Sequence, residues 1–243
     1  MTYTKRADNR KFDEPRKMEA KVGVIGRADG SAMFKIGDTI AVAAVYGPKE
    51  LYPRFLQDSE KGKLKCTYDM LSFSVPERKR PGPNRRSVEI SLVTEKALLP
   101  SLDLKNYANT VINVFIEIIQ ANAGTRCAGI CAASLALADA GLPMRGLVSA
   151  ISVGKVGDQV VVDLNKEEED YEGGSTDIPI AILLPDEKIT LLQLDGNIKK
   201  EEFLKAMEYG KKTCSEIYKV QVKALKDKYK KWKKNWGVIL LVC

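Results

Sequence analysis

Three short stretches of this sequence carry residue types that could handle a phosphate and its leaving group. The first is Ala121-Asn122-Ala123-Gly124-Thr125-Arg126. Glycine lets the backbone close on an anion, and free N–H groups at a helix start attract negative charge. Thr125 adds a hydroxyl donor and Arg126 a planar positive fork. On spacing alone, an ordinary strand-to-helix turn capped by Thr125 reads the same way. The second stretch packs Arg78, Lys79, Arg80, Arg85 and Arg86 into nine residues. Arginine forks suit phosphate contacts that give affinity without base specificity, though a solvated basic loop is the plainer reading. The third runs Asp163-Leu-Asn-Lys-Glu-Glu-Glu-Asp170, then Glu172 and, beyond a Gly-Gly pair, Asp177. Two carboxylates converging from such a loop could bind Mg²⁺ or supply a general acid; alone, the stretch reads as a solvated acidic turn. An anion cradle and an acidic cluster in one chain point to acid- or metal-assisted phosphoryl transfer.

Composition narrows the chemistry. The 243 residues contain no histidine. That excludes Ser-His-Asp and Cys-His nucleophiles and imidazole metal sites, leaving Asp, Glu, Lys, Tyr or Cys for proton transfer. The five cysteines form no CxxC pair, which fits reduced thiols better than a disulfide frame or a zinc site. Cys127 and Cys131, four apart, read as small apolar residues on a packed helix face. The net charge of +7 is unevenly placed: residues 199–234 hold 13 Lys against 5 acids, and the remainder is close to neutral. A solvated face of a Lys-rich helix explains most of that excess. The N-terminal residues are polar throughout and no apolar run approaches the ~20 residues of a membrane span, so a soluble, intracellular (cytoplasmic) chain is expected.

The elements that must position these groups can be read from periodicity. Residues 20–48 alternate apolar runs with turn signals and predict antiparallel strands, with another strand over Lys63 to Ser74. A helix follows the Arg-rich loop, capped by Ser87 and running to about Leu99, with Val88, Leu92, Val93 and Ala97 facing inward. Val111–Gln120 reads as a buried strand that turns through 121–125 into an Ala-rich helix ending at Asp139. Strands follow at about 147–155, 158–164, 178–184 and 188–194. A long amphipathic helix begins near Lys200, with Phe203, Leu204, Met207, Ile217, Val220 and Leu225 as core positions. The pattern is α+β.

Several phrases then resemble the RNase PH family: KRADNRKFDE (5–14), ADGS (28–31), AVYGP (44–48), FSVPERKRPGPNRRSVEIS, QANAGTRCAGICAASLALADAGLPMR, VVDLNKEEED, STDIPIAI and LLQLDG. They occur in order over nearly all of residues 5–230. FSVPERKRPGPNRRSVEIS is closest to the catalytic ring subunits of the archaeal exosome. Two positions depart from the family pattern: Asn9 stands where a glycine is usual, and Asn122 where an acid is usual.

The resemblance implies an RNase PH-like fold (ribosomal protein S5 domain 2-like), one catalytic domain over 1–235 ending in the amphipathic helix, and a short apolar tail at 236–243. It implies phosphate attack on the last phosphodiester of RNA, releasing nucleoside 5′-diphosphates, with inorganic phosphate as co-substrate and Mg²⁺ as a candidate cofactor. The reverse reaction would add 3′ tails. Gly124, Thr125, Arg126 and Arg86 match the family's phosphate site. Asp177 and Asp170 match its paired acids, with Glu169 as the neighbouring choice, and would be the Mg²⁺ ligands if a metal is used. Arg78, Arg80 and Arg85 fall where RNA-backbone contacts are expected, and Arg54 in a loop lining the RNA pore. Expected partners are single-stranded RNA 3′ ends, a related inactive subunit completing a hexameric ring of three heterodimers, and RNA-binding cap proteins. A non-catalytic RNA-binding ring scaffold and a homohexameric tRNA-trimming RNase PH are the alternatives.

Overall fold

The computed structural model describes residues 3–171 and 173–239, the side chains only through residue 230. Two sheets sandwich one helix. The first sheet contains β1 (Met18–Val22), β2 (Gly30–Ile36), β3 (Thr39–Glu50), β4 (Lys63–Met70) and β5 (Thr110–Gln120) in the order β1-β2-β3-β5-β4. Its pairings are antiparallel except β4 with β5, which run parallel. Between those two strands lies α1 (Arg85–Leu98), the crossover that a parallel pair requires. The second sheet, β6 (Leu147–Val156), β7 (Gln159–Val162), β8 (Ser175–Leu184) and β9 (Lys188–Leu192), is antiparallel throughout in the order β7-β6-β8-β9.

Helix α2 (Thr125–Asp139) packs against β2, β3 and β5 on one side and β6 and β8 on the other. A helix buried all round must be apolar all round. Its run Ala128-Gly129-Ile130-Cys131-Ala132-Ala133 meets that demand with small residues that let both sheets approach. Gly30 shows how close the approach is: a Cβ there would strike backbone atoms of Ala136 and Ala140. Cys127 and Cys131 belong to this packed face, at 1% and 0% exposure. Residues of both sheets and α2 form one continuous apolar core. A one-turn helix, α3 (Lys166–Glu169), interrupts the acidic stretch before β8, and α4 (Lys200–Ile239) closes over β6, β7, β8 and β1.

The α+β class and the order of elements agree with the sequence reading; several details differ. The strand at Lys63 stops at Met70, and residues 71–74 turn. Helix α1 is capped by Asn84, not Ser87: the Asn84 side chain accepts the Ser87 N–H at 2.7 Å, and the Asn84 N–H is accepted by Ser87 Oγ at 2.9 Å. Val88 and Leu92 point outward, at 60% and 51% exposure, because α1 packs through Ile90, Thr94, Ala97 and Leu98. Leu204 of α4 is likewise outside, while Ala206, Cys214, Ile217 and Gln221 form the buried stripe. The helix continues past the boundary expected at 235, and residues 240–243 of the expected tail lie outside the described residues. Among the described residues, no helix is long and apolar enough to cross a membrane.

Candidate active site

Strand β5 delivers the chain to residues 121–124, and α2 begins immediately after. Ala123 and Gly124 both adopt left-handed backbone, φ 56° and 63°, which turns the chain sharply into the helix. Gly124, not Thr125, is the N-cap, and no side chain caps the helix start. The first-turn N–H groups of a fifteen-residue helix therefore keep their capacity for an anion. Two neighbours pin the turn from behind. Thr39 Oγ1 donates to the Ala123 carbonyl at 2.7 Å and accepts the Asn122 N–H at 2.9 Å, and Arg16 donates to the Asn122 carbonyl.

A cavity of about 610 Å³ lies beside the start of α2, whose second residue, Arg126, is in its lining. Arg126 enters it from α2, Arg86 from the first turn of α1, Asp177 and Ser175 from β8, Glu169 from the end of α3, and Gln193 and Asp195 from the segment after β9. Asp177 and Asp195 face each other through a reciprocal pair of backbone hydrogen bonds, each 2.9 Å. Ser152 donates to Asp177 Oδ1, and Arg126 donates to Gln193 Oε1. The other side of the guanidinium is unmatched: Arg126 Nε is buried without a hydrogen-bond partner. So is the hydroxyl of Tyr68, held near Thr125, Arg86 and Arg126. Buried donors left unpaired are costly, and Arg126 is a residue of the cavity lining whose Nε–H lacks an acceptor.

Two of the carboxylates, Asp177 and Glu169, are perturbed. Burial raises the pKa of Asp177, and the charge of Asp195 adds to the rise against the opposing pull of Ser152, Arg126 and Arg86. Burial also raises Glu169, with the Asp177 charge next in size. Acids that resist ionisation beside two arginines are equipped to hold a proton or a cation. Among the described residues, no three Asp, Glu or Cys side chains are grouped so as to cage a metal. The Asp177–Glu169 pair is nonetheless an all-oxygen donor set of the kind that holds Mg²⁺ through one or two carboxylates while the ion keeps several waters.

The structure thus brings together Arg86, Arg126 and Asp177, with Gly124 and Thr125 forming the turn beside them. Asp170 is not among the cavity's lining residues, which include Glu169 instead. It follows the last residue of α3 with a non-helical backbone, φ −91° and ψ 11°. Its side chain is 62% exposed and pairs with Lys166 at 2.7 Å on the surface. Arg54, Arg78, Arg80 and Arg85 are exposed and line the cavity nowhere. Lys79 leaves the basic cluster to pair with Asp69. Sequence reading missed Glu89, Gln193 and Asp195. Glu89 lies one helical turn from Arg86 and was legible by that spacing; the other two depend on how β9 leaves the second sheet.

Comparison with known proteins gives a consistent picture. Residues 14–143 match the 3′ exoribonuclease family, domain 1, and residues 146–213 match its domain 2. The chain is 52% identical over 227 residues to the exosome complex component Rrp41 of Pyrococcus furiosus, covering 93% of this chain and 90% of that one. It is 47% identical over 225 residues to the component of the same name from Nitrosopumilus maritimus, covering 93% and 91%. Among solved structures, rice Rrp46 superposes with a TM-score of 0.80 at 24% identity, over 91% of this chain and all of that one. The Archaeoglobus fulgidus exosome with RNA bound to the active site superposes with a TM-score of 0.75 at 24% identity, over 88% and 91%.

Proposed function

Because the chain belongs to the 3′ exoribonuclease (RNase PH) family, we propose that it is the catalytic subunit of an exosome, a phosphorolytic 3′→5′ exoribonuclease. The observation that carries the reading is a single cavity lined by Arg86 and Arg126, beside an uncapped helix start, together with two carboxylates that resist ionisation. The first is a seat for inorganic phosphate, and the second a place to receive the charge of a departing oxygen.

In this reading Arg86, Arg126 and the amides after Gly124 hold the attacking phosphate and reduce its repulsion by the RNA phosphate. Positioning and electrostatics carry most of such a reaction. A phosphate oxygen bonds to the last phosphorus of the RNA as the bond to the preceding 3′-oxygen breaks. The product is a nucleoside 5′-diphosphate and an RNA one residue shorter; run backward, the same step adds 3′ residues. In this reading the carboxyl proton of Asp177 goes to the departing 3′-oxygen, a role supported by its raised pKa and its place in the cavity lining. Asp177 and Glu169 are also the pair that would hold Mg²⁺, which when bound would stabilise the same oxygen. A pH–rate profile separates the roles: proton donation loses rate as pH rises through the Asp177 value, and metal ligation loses rate as pH falls.

RNA would reach the cavity past Arg78, Arg80 and Arg85, with Arg54 at the pore. The ring itself would be built with a related inactive subunit and carry RNA-binding caps. Exposed Phe55, Phe115 and Ile119, at 84%, 42% and 37%, support surfaces covered by neighbours. The buried free thiols Cys66, Cys127, Cys131 and Cys214 fit a cytoplasmic setting.

The test is a 5′-labelled oligoadenylate incubated in Mg²⁺ with this chain and its co-purified ring partner, with and without phosphate. Phosphate-dependent shortening with ADP release is the expected outcome. An assembled ring that binds but never shortens RNA would make it a scaffold, and AMP release without phosphate would make the chemistry hydrolytic.

A further inference from the structure

Residues 3–17, which precede β1, form no helix or strand, yet they contain some of the most deeply buried charges among the described residues. The Arg6 side chain is 0% exposed. Its Nε and Nη2 hold the two Glu168 oxygens at 2.7 Å each, and its Nη1 and Nη2 donate to the Val162 and Asp163 carbonyls at 2.9 Å. Ten residues on, Arg16 repeats the pattern. Its Nε and Nη2 hold the Asp163 carboxylate at 2.8 and 2.7 Å, its own N–H adds a third bond at 2.8 Å, and Nη1 donates to the Asn122 carbonyl. None of these groups lines the cavity.

Each arginine ends on a residue that adjoins the chemistry. Glu168 precedes Glu169 in α3, a single turn too short to be stable by itself and capped by Asn165. Asn122 opens the turn that forms the anion cradle. Asp163 joins the two arms, receiving Arg6 on its carbonyl and Arg16 on its carboxylate, in a left-handed conformation (φ 56°) that a non-glycine residue rarely adopts without outside support. Breaking a buried bidentate pair is expensive because it strands a charge, so neither arm is free to shift alone.

Resting on the proposed phosphorolytic reaction, we infer that Arg6 and Arg16 are positioning residues that fix the spacing between the acidic arm and the phosphate cradle, with Asp163 as the joint. Arg16 sets the cradle and hence phosphate affinity. Arg6, through Glu168, sets where the Glu169 carboxylate stands and hence the rate of the step.

The two arms predict opposite kinetic signatures, which general loss of stability would not produce. In the assembled ring, with the phosphate concentration varied at saturating oligoadenylate, Arg16→Lys should raise KM for phosphate about tenfold and leave kcat nearly unchanged. Glu168→Gln, which loses the charge but keeps the shape, should lower kcat about tenfold and leave KM for phosphate nearly unchanged. Should either variant fail to assemble, Thr39→Val, which removes the cradle turn's second support, and Asn165→Ala, which removes the α3 cap, carry the same two expectations. Matching changes in both constants on both arms, or no change on either, would overturn the inference while leaving the reaction intact. A wild-type ring without phosphate-dependent shortening would instead fail the underlying function.

Discussion

Asp177 sits in the cavity at a cost to the fold. Because folding raises its pKa, the ionised carboxylate is held less favourably in the native protein than in the unfolded chain. That penalty is absent below the ordinary carboxylate range, where the group is protonated in both states, and it appears as pH rises through the folded-state value. Asp177→Asn should therefore melt at a higher temperature than wild type near pH 7, with the gain vanishing in acid, while phosphorolysis is lost; thermal melts across pH measure the first and the oligoadenylate assay the second. Glu169 and Asp170 offer a sharper contrast, being adjacent and both acidic. Glu169→Gln should lower the rate about a hundredfold, the scale of a lost acid–base group. Asp170→Asn, which breaks only a surface pair, should stay within about twofold. Equal effects from the two would place the acidic arm wrongly. This is also where sequence reading reached its limit at residue scale. GTR and STDIP announce Arg126 and Asp177 by motif, but choosing between neighbouring acids depends on the orientation of a one-turn helix set by Arg6, some 160 residues away in sequence. The departure at Asn9 resolves similarly: its φ of 61° is a conformation that asparagine tolerates better than most side chains, so the turn survives without glycine.

At the scale of elements, α1 carries Arg86 two residues after its cap. Asn84→Ala removes the side-chain acceptor of the Ser87 N–H, though not the backbone N–H that Ser87 Oγ accepts, and should cost about 1 kcal/mol of stability, read from the denaturant midpoint at constant m-value. The elements themselves were legible because their periods are strong: the run of small residues gave α2 its end at Asp139, while its start lies one residue earlier than a Thr125 cap implies. Faces were less legible than elements. Val88 and Leu92 have helical spacing, yet the stripe that packs is Ile90, Thr94, Ala97 and Leu98. Periodicity gives the repeat, and only the neighbouring strand and helix decide which stripe turns inward. Leu204 on α4 was misplaced for the same reason. In the segment after β9 the phrase LLQLDG marks the residues but not their role, since Gln193 and Asp195 reach the cavity only through pairing with β8.

Over the whole molecule, two sheets share one helix, and the cavity opens at that helix's N-terminal end, where side chains from both halves meet. The match of two family domains to residues 14–143 and 146–213 follows this division, although the core runs unbroken through both. Charge is distributed with the same economy. The Lys-rich excess lies on α4, and a distinct group of exposed arginines lies on the loop leading to α1. If that loop tracks the RNA backbone, replacing Arg78, Arg80 and Arg85 with alanine should weaken RNA binding and reduce the slope of log affinity against log salt by about two. Removing lysines from α4 should leave the slope nearly unchanged, as measured by fluorescence anisotropy with the assembled ring.

The bracket formed by Arg6 and Arg16 joins these two arginines to residues 162 and 147 positions later. On the ribosome, the arginines are therefore made before their partners and must wait, unpaired, until roughly 150 residues have followed them. A nascent chain that stalls anywhere before Glu168 has its arginines but nothing for them to hold. The capacity to shorten RNA consequently arrives late in synthesis, and an abandoned fragment of this subunit is not a stray nuclease.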